Sequence, residues 1–176
     1  MSKTRFYWCL PIALFAVVIS TLMVGCSATN RLPAWMNFST PASESLIDVP
    51  WGTSFAEARV EAAESEKLIL LWFTGSDWCK YCVMLENEVF HTPEFTAWYG
   101  DKIVPVVLDF PRQSSLEPEL ERQNEMLKER YSKNITSYPT ALFVNSNGQV
   151  MGKLGYLPGG AEVWTRKADE ILALAF

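Results

Sequence analysis

The chain has 176 residues, of which 49% are hydrophobic and 20% are charged, and its formal net charge is −5. This composition is typical of a globular protein that is long enough to bury a core, and it excludes an intrinsically disordered chain. Basic residues form no run anywhere in the sequence, which excludes nucleic acid as a predicted partner.

The N-terminus has the pattern of an export signal. Lys3 and Arg5 precede a stretch from Phe6 to Gly25 that is almost entirely apolar, and small residues follow it. We predict that residues 1–25 are a signal peptide. An uncut membrane anchor stays open as the alternative, because about 20 apolar residues can span a bilayer. Both possibilities place the rest of the chain outside the cytoplasm.

The end of this segment, Leu22-Met23-Val24-Gly25-Cys26, resembles a bacterial lipoprotein signal. The resemblance implies that Cys26 is lipidated and that the protein is membrane-anchored on the periplasmic side of the cell envelope. Ser27 follows the cysteine in place of Asp, which favours the outer membrane, but the choice between outer and inner membrane stays open. Residues 26–50 contain three prolines and no sustained hydrophobic period, so we predict a flexible tether.

Residues 51–176 are predicted to form one domain, and its first half has clear element boundaries. A helix is predicted from Ser54 to Glu66, starting with a capping box. The apolar run from Lys67 to Thr74 predicts a strand that is buried on both faces. A second helix is predicted from Cys79 to Phe90, and a short one from Pro93 to Tyr99 with Thr92 as its cap.

The second half of the domain continues with a strand over Ile103–Phe110 and a polar helix over Glu117–Tyr131. The candidate buried residues of this helix are Leu120, Met126, Leu127 and Tyr131. Two strands, Thr140–Val144 and Gln149–Leu154, flank an Asn-Gly turn, which predicts a hairpin. A last helix is predicted over Gly160–Leu174.

This order of elements predicts an α/β fold with a central mixed sheet of four to five strands. The first two strands are joined by a crossover that contains helices, so they are expected to be parallel. The hairpin adds an antiparallel edge, and the helices are expected to flank the sheet on both faces.

Cys79 and Cys82 lie where a predicted helix begins, just after the buried strand. The other two cysteines, Cys9 and Cys26, belong to the N-terminal apolar segment, so the pattern favours redox or metal chemistry over a disulfide scaffold. Unpaired amides and a partial positive charge at a helix start favour the thiolate of Cys79. An inert structural disulfide stays open. The single histidine, His91, leaves the pair short of the ligands of a zinc site, whereas Cu(I) needs only two thiolates.

Four motifs of the domain are similar to those of known proteins. They are Phe73-Thr-Gly-Ser-Asp-Trp-Cys-Lys-Tyr-Cys82, Asp109-Phe-Pro-Arg112, Tyr138-Pro-Thr140 and Gly155-Tyr-Leu-Pro-Gly-Gly160. With these motifs the chain from about Trp51 to Phe176 resembles thioredoxin-fold proteins, and in particular the bacterial exported thioredoxin-like group with the pattern FTGSDWCxxC. The resemblance implies a single-domain thioredoxin fold.

The resemblance also assigns expected roles to the site residues. Cys79 is expected to attack a substrate disulfide, and Cys82 to resolve the mixed disulfide. Pro139 is expected to be cis and to lie against the cysteine pair, while Trp78 and the backbone of Tyr138 contribute to the substrate surface.

One departure from cytoplasmic thioredoxins concerns the proton of Cys82. Those proteins bury an Asp on the strand under the cysteine pair, whereas Leu70-Leu71-Trp72-Phe73 contains no carboxylate. Glu86, one turn beyond Cys82, is a candidate proton acceptor, but a solvated helix residue is the alternative interpretation. Asp77 is expected to be a solvated or capping side chain rather than a base.

The predicted function is that of an exported thiol:disulfide oxidoreductase, with a preference for reduction of disulfides in cell-envelope proteins. Its expected partners are those proteins, a membrane or periplasmic thiol donor, and the membrane itself, and no cofactor is expected. Oxidant, reductant and isomerase share the same parts and differ in potential, so the direction stays open. The alternative function is a tethered thioredoxin-like binding module for copper or for cofactor-protein (cytochrome-type) assembly.

Overall fold

The structure is a computed structural model, and it describes residues 49–175. The elements of this part are α1 Phe55–Ser65, β1 Leu68–Thr74, α2 Lys80–Leu85, a π-helical segment Glu86–Phe90, α3 Pro93–Tyr99, β2 Ile103–Asp109, α4 Pro118–Arg130, β3 Thr140–Val144, β4 Val150–Leu154 and α5 Gly160–Leu172. The predicted signal peptide, the lipidation site Cys26 and nearly all of the predicted tether lie outside the described residues.

Four strands form one mixed sheet in the order β2-β1-β3-β4. β1 is parallel to β2 and antiparallel to β3, and β3 pairs with β4 as an antiparallel hairpin. The predicted mixed α/β sheet is thus confirmed. Gly52 forms an isolated bridge with Val106 on the outer edge of β2, where a further strand would otherwise pair.

β1 is the central strand, and all seven of its residues are buried. Leu68, Leu70 and Trp72 point into one hydrophobic core, and Ile69, Leu71 and Phe73 point into a second core on the other face. The first core is covered by α2, the π-helical segment, α3 and α5, and it is rich in aromatic rings. The second is covered by α1 and α4. Burial on both faces explains why the strand is apolar without alternation.

Two helix starts follow the predicted capping chemistry. The side chain of Ser54 accepts a hydrogen bond of 3.2 Å from the amide of Glu57, and that of Thr92 accepts one of 3.2 Å from the amide of Phe95. These oxygens satisfy amides that have no partner inside the helix. The starts of α1 and α3 are therefore fixed by local sequence.

The second predicted helix differs from the observed one in its last turn. The structure has an α-helix that ends at Leu85 and continues as the π-helical segment, with the amide of His91 donating to the carbonyl oxygen of Glu86 over 2.8 Å. The wider turn brings the consecutive side chains of Val89 and Phe90 to 0% exposure. Packing of both residues in the aromatic core accounts for the departure from α-helical pairing.

The prediction that Met126 is buried on the inner face of α4 was wrong. This side chain is 60% exposed, whereas Asn124 is 1% exposed and faces the sheet. The Asn124 amide nitrogen donates a hydrogen bond of 3.0 Å to the carbonyl oxygen of Asp109, which compensates its burial. A prediction from hydrophobicity alone therefore selects Met126 as the buried residue, whereas Asn124 is the one that is buried.

Val49 belongs to the domain rather than to the tether in which the sequence analysis placed it. Its side chain is 3% exposed and packs in the first core. The folded domain therefore includes at least Val49. Within residues 49–175 the structure contains no helix that is long and apolar enough to cross a membrane.

Candidate active site

Strand register brings three segments to one edge of the sheet. Phe73 of β1 pairs with Leu108 of β2 and with Thr140 of β3. The turn after Thr74, the segment after Asp109 and the residues before Thr140 are therefore neighbours. Two of these segments carry the five predicted site residues of the described chain, which are Trp78, Cys79, Cys82, Tyr138 and Pro139.

Cys79 and Cys82 are joined by a disulfide bond, with 5.2 Å between their Cα atoms. Cys79 is the N-cap of α2, and its Sγ accepts a hydrogen bond of 3.2 Å from the amide of Cys82. Cys79 is 7% exposed and Cys82 is 1% exposed. The same amide can stabilise a thiolate on Cys79 once the bond is reduced, because a hydrogen bond to the charged form favours that form.

Trp78 is held on three sides. Its Nε1 donates a hydrogen bond of 2.7 Å to the carbonyl oxygen of Phe110. The centroid of the Tyr138 ring lies 5.3 Å from that of Trp78, and the guanidinium carbon of Arg112 lies 3.8 Å from the Trp78 ring centroid. A Cβ atom at Gly75 would overlap the indole. Gly75 therefore makes room for the ring that precedes Cys79.

Asp77 binds backbone amides of the segment that follows β2. Its carboxylate accepts hydrogen bonds of 3.0 Å from the amide of Arg112 and 2.6 Å from that of Gln113. These bonds hold the pKa of Asp77 below its usual value of 3.8. The side chain is thus a capping group, as the sequence predicted, although its partners lie 35 and 36 residues further along the chain.

Asp109 and Ser76 form a second link between the same two segments, which the sequence analysis missed. The Asp109 carboxylate accepts a hydrogen bond of 2.9 Å from the amide of Ser76 and one of 2.6 Å from the Ser76 hydroxyl. The Asp109 carbonyl oxygen is the group bound by Asn124. The Asp109-Phe-Pro-Arg112 motif was the only sequence signal for this contact.

The Tyr138–Pro139 peptide bond is cis, which is the isomer that the resemblance implied. Pro139 itself is buried and Tyr138 is half-buried. Burial raises the pKa of the Tyr138 phenol to about 12, so this hydroxyl is protonated throughout the physiological range.

A further aromatic pair borders the cysteines. Tyr81, between them in sequence, is 56% exposed, and its ring centroid lies 5.7 Å from that of Tyr156. The Tyr156 hydroxyl donates a hydrogen bond of 2.8 Å to the carboxylate of Glu88, which raises the pKa of the phenol. The Gly155–Gly160 motif thereby contacts the cysteine-bearing helix, although no role was predicted for Tyr156.

Acidic side chains are not buried at the site. Within residues 49–175, the buried polar side chains are those of Thr74, Asn124 and Thr140. Glu86 pairs with His91 at 3.6 Å, and its side chain is 36% exposed. In the same part of the chain no three His, Cys, Asp or Glu residues come together as metal ligands.

Comparison with known proteins identifies the family of this domain. The family model of the thioredoxin-like domain matches residues 55–164. The chain belongs to the thioredoxin-like domain family. Over 168 residues it is 28% identical to the disulfide bond reductase DsbH of Chlamydia pneumoniae, covering 96% of this chain and 98% of that protein.

Two further comparisons extend this result. A solved structure of DsbH oxidoreductase is 31% identical and superposes with a TM-score of 0.68, covering 72% of this chain and 86% of that chain. The thioredoxin-related protein DsbJ of Chlamydia pneumoniae is 28% identical over 138 residues, which are 78% of this chain and 37% of DsbJ. The thioredoxin fold is thereby confirmed for the described domain. So is the predicted enzyme class, a thioredoxin-like disulfide oxidoreductase with a Cys-x-x-Cys pair.

Proposed function

We propose that this thioredoxin-like protein is an exported, membrane-anchored reductase of disulfides in cell-envelope proteins. The observation that carries the proposal is the position of Cys79 at the start of α2, where its Sγ accepts a hydrogen bond from the amide of Cys82. That position favours the thiolate, which is the nucleophile of thiol–disulfide exchange. Similarity to DsbH, a disulfide bond reductase, over 98% of its length supports the direction.

The reaction has two exchange steps. The thiolate of Cys79 attacks one sulfur of the substrate disulfide, forms a mixed disulfide and releases the other substrate sulfur as a thiolate, which takes up a proton. Cys82 then loses its proton and attacks Sγ of Cys79, which forms the Cys79–Cys82 disulfide and releases the second substrate thiol. Two electrons and two protons pass to the substrate. A membrane or periplasmic dithiol returns the pair to the reduced state by the same exchange in reverse.

Trp78, Tyr138 and Pro139 are the proposed substrate-contacting residues. Trp78 directly precedes Cys79, and the Tyr138 ring lies with its centroid 5.3 Å from that of Trp78. The backbone of Tyr138 is proposed to pair with an extended substrate segment by strand addition. Cys82 is the proposed resolving thiol, since at 1% exposure it is less accessible than Cys79 to a macromolecular substrate.

The proposed location follows from the N-terminal sequence. Residues 1–25 are proposed as a lipoprotein-type signal or an anchor, Cys26 as the lipidated residue, and the predicted tether of residues 26–50, without the core residue Val49 and Pro50 after it, as the link to the domain. A Cys26→Ser variant is expected to leave the membrane fraction if the lipid is the anchor. Retention of that variant in the membrane would instead favour the uncut segment.

Trapping of the mixed disulfide tests the proposed function. A Cys82→Ala variant, expressed in the source cells, is expected to accumulate disulfide-linked adducts in the envelope fraction, because Cys79 attacks but is not released. Non-reducing electrophoresis and mass spectrometry identify the partners. The matched control is Cys79→Ala, which keeps Cys82 but is expected to give no adducts. If Cys82→Ala also gives none, or if purified reduced protein does not reduce a disulfide peptide, the proposal is wrong.

A further inference from the structure

The segment after β2 places the guanidinium of Arg112 on the ring of Trp78, the residue that precedes Cys79. Asp77 fixes the backbone of this segment through the amides of Arg112 and Gln113. The carbonyl oxygen of Phe110 fixes the indole of Trp78. The Arg112 guanidinium then lies with its carbon 3.8 Å from the indole ring centroid. Both the backbone and the stacking surface of Arg112 are thus held in place.

Arg112 is an exposed residue, and its guanidinium has N–H donors available for a ligand. Within residues 49–175, no carboxylate lies at ion-pair distance from Arg112 or from Lys80, which lies between the two cysteines. Stacking on an aromatic ring occupies the face of a guanidinium and leaves its in-plane N–H groups available. Those groups match the geometry of a carboxylate, which they bind by two parallel hydrogen bonds.

We propose that Arg112, stacked on Trp78, binds a carboxylate of the substrate polypeptide close to the disulfide that Cys79 attacks. This inference rests on the proposed function and adds a substrate class to it, namely disulfides flanked by Asp or Glu. Lys80 contributes a second positive charge beside the same cysteine. The net charge of −5 for the whole chain would repel acidic substrates, so a preference for them has to come from such a local site.

The test compares two peptides that each contain one intramolecular disulfide and differ only in Glu or Gln beside the cysteines. Pre-reduced full-length protein is mixed with each peptide, and the second-order rate constant of its oxidation is measured. The wild type is expected to react about threefold faster with the Glu peptide at low salt, the size expected of a partly exposed ion pair. This ratio is expected to approach one in 0.5 M salt because exposed charges are screened.

Arg112→Gln is expected to bring the ratio of the two rate constants to about one. Arg112→Lys keeps the charge but not the planar fork, so an intermediate ratio is expected. The control is Arg130→Gln, which removes an equal charge from a cation whose guanidinium carbon lies 5.4 Å from the Tyr131 ring centroid. Arg130 also lies beside Gly148, in the hairpin at the opposite end of the sheet. This variant is expected to keep the wild-type ratio.

The outcomes separate this inference from the proposed function. A wild-type ratio of one, an unchanged ratio in Arg112→Gln, or an equal loss in Arg130→Gln overturns the carboxylate site while reduction of both peptides continues. Failure of the wild type to react with either peptide overturns the proposed function and the inference with it.

Discussion

The indole nitrogen of Trp78 and the carbonyl oxygen of Phe110 are joined by a hydrogen bond of 2.7 Å across 32 residues of sequence. This bond links the turn that precedes the cysteine pair to the segment that follows β2. The carboxylates of Asp77 and Asp109 link the same two segments. Backbone bonds from Trp78 and Cys79 to the carbonyl oxygen of Gly75 close the turn itself, and these side-chain bonds fix it to the neighbouring segment.

Gly75→Ala is expected to displace Trp78, because the added Cβ would overlap the indole. The ring cannot move without losing its bond to Phe110, so we expect a loss of about 1–3 kcal/mol in the free energy of unfolding. Chemical denaturation measures this change. Gly100→Ala is the matched control, since a Cβ there meets no atom within 4 Å and the backbone is α-helical. An equal loss in both variants would contradict the explanation.

Asp77→Asn is expected to change how stability depends on pH. The hydrogen bonds to Asp77 lower its pKa in the folded protein, so its stabilising contribution is present above the unfolded pKa. That contribution is lost as the pH falls through the lowered folded value. The melting temperature of the wild type should exceed that of Asp77→Asn at pH 5–7, and the difference should shrink below about pH 4. A difference that stays constant down to pH 2 would show that the charge has no part in the contact.

The phenol of Tyr138 is expected to ionise at a higher pH than an exposed tyrosine. Its pKa is raised to about 12 by burial, whereas in the unfolded chain it is about 10. Ultraviolet absorbance of the phenolate should therefore include an ionisation near pH 12, and Tyr138→Phe should lower its amplitude by one tyrosine. The neutral form stabilises the fold below about pH 10, and this contribution is lost as the pH rises from 10 to 12. Ionisation of every tyrosine near pH 10 in the folded protein would contradict the burial.

Asn124→Ala is expected to destabilise the domain by about 1–3 kcal/mol, because it leaves the part-buried carbonyl oxygen of Asp109 without its amide partner. The free energy of unfolding, measured with urea, reports the loss. The control on the same helix is Met126→Ala, which truncates a side chain that is 60% exposed. A change within about 0.5 kcal/mol is expected there. A larger loss of stability in Met126→Ala than in Asn124→Ala would instead support burial of Met126, as hydrophobicity predicted.

The sequence predicted those parts of the fold that depend on neighbouring residues. The buried strand β1, the caps at Ser54 and Thr92 and the cysteine pair at a helix start follow from local composition and spacing. The positions of Asn124 and Met126 were not predictable in this way, because a polar side chain is buried when a distant carbonyl oxygen accepts its hydrogen bond. The local pattern does not contain that partner.

The site was predictable in its chemistry and less so in its supports. Cys79 and Cys82 are marked by their spacing and their position, whereas the contacts of Asp77 and Arg112 join residues that are 35 positions apart. The π-helical segment also depends on contacts between residues that are far apart in the sequence. Its pairing depends on how Phe90 fits between aromatic rings of other elements, which helix propensity does not report.

The bridge between Gly52 and β2 has a consequence for self-association. β2 is an edge strand, and an edge of this kind can pair with a second chain and nucleate aggregation. Here Pro105 has no amide proton, Gly52 binds the carbonyl oxygen of Pro105 and the amide of Val107, and Asn124 binds the carbonyl oxygen of Asp109. A second copy would find no continuous ladder to extend at this edge, which disfavours strand-to-strand association through β2 even where many copies are crowded together.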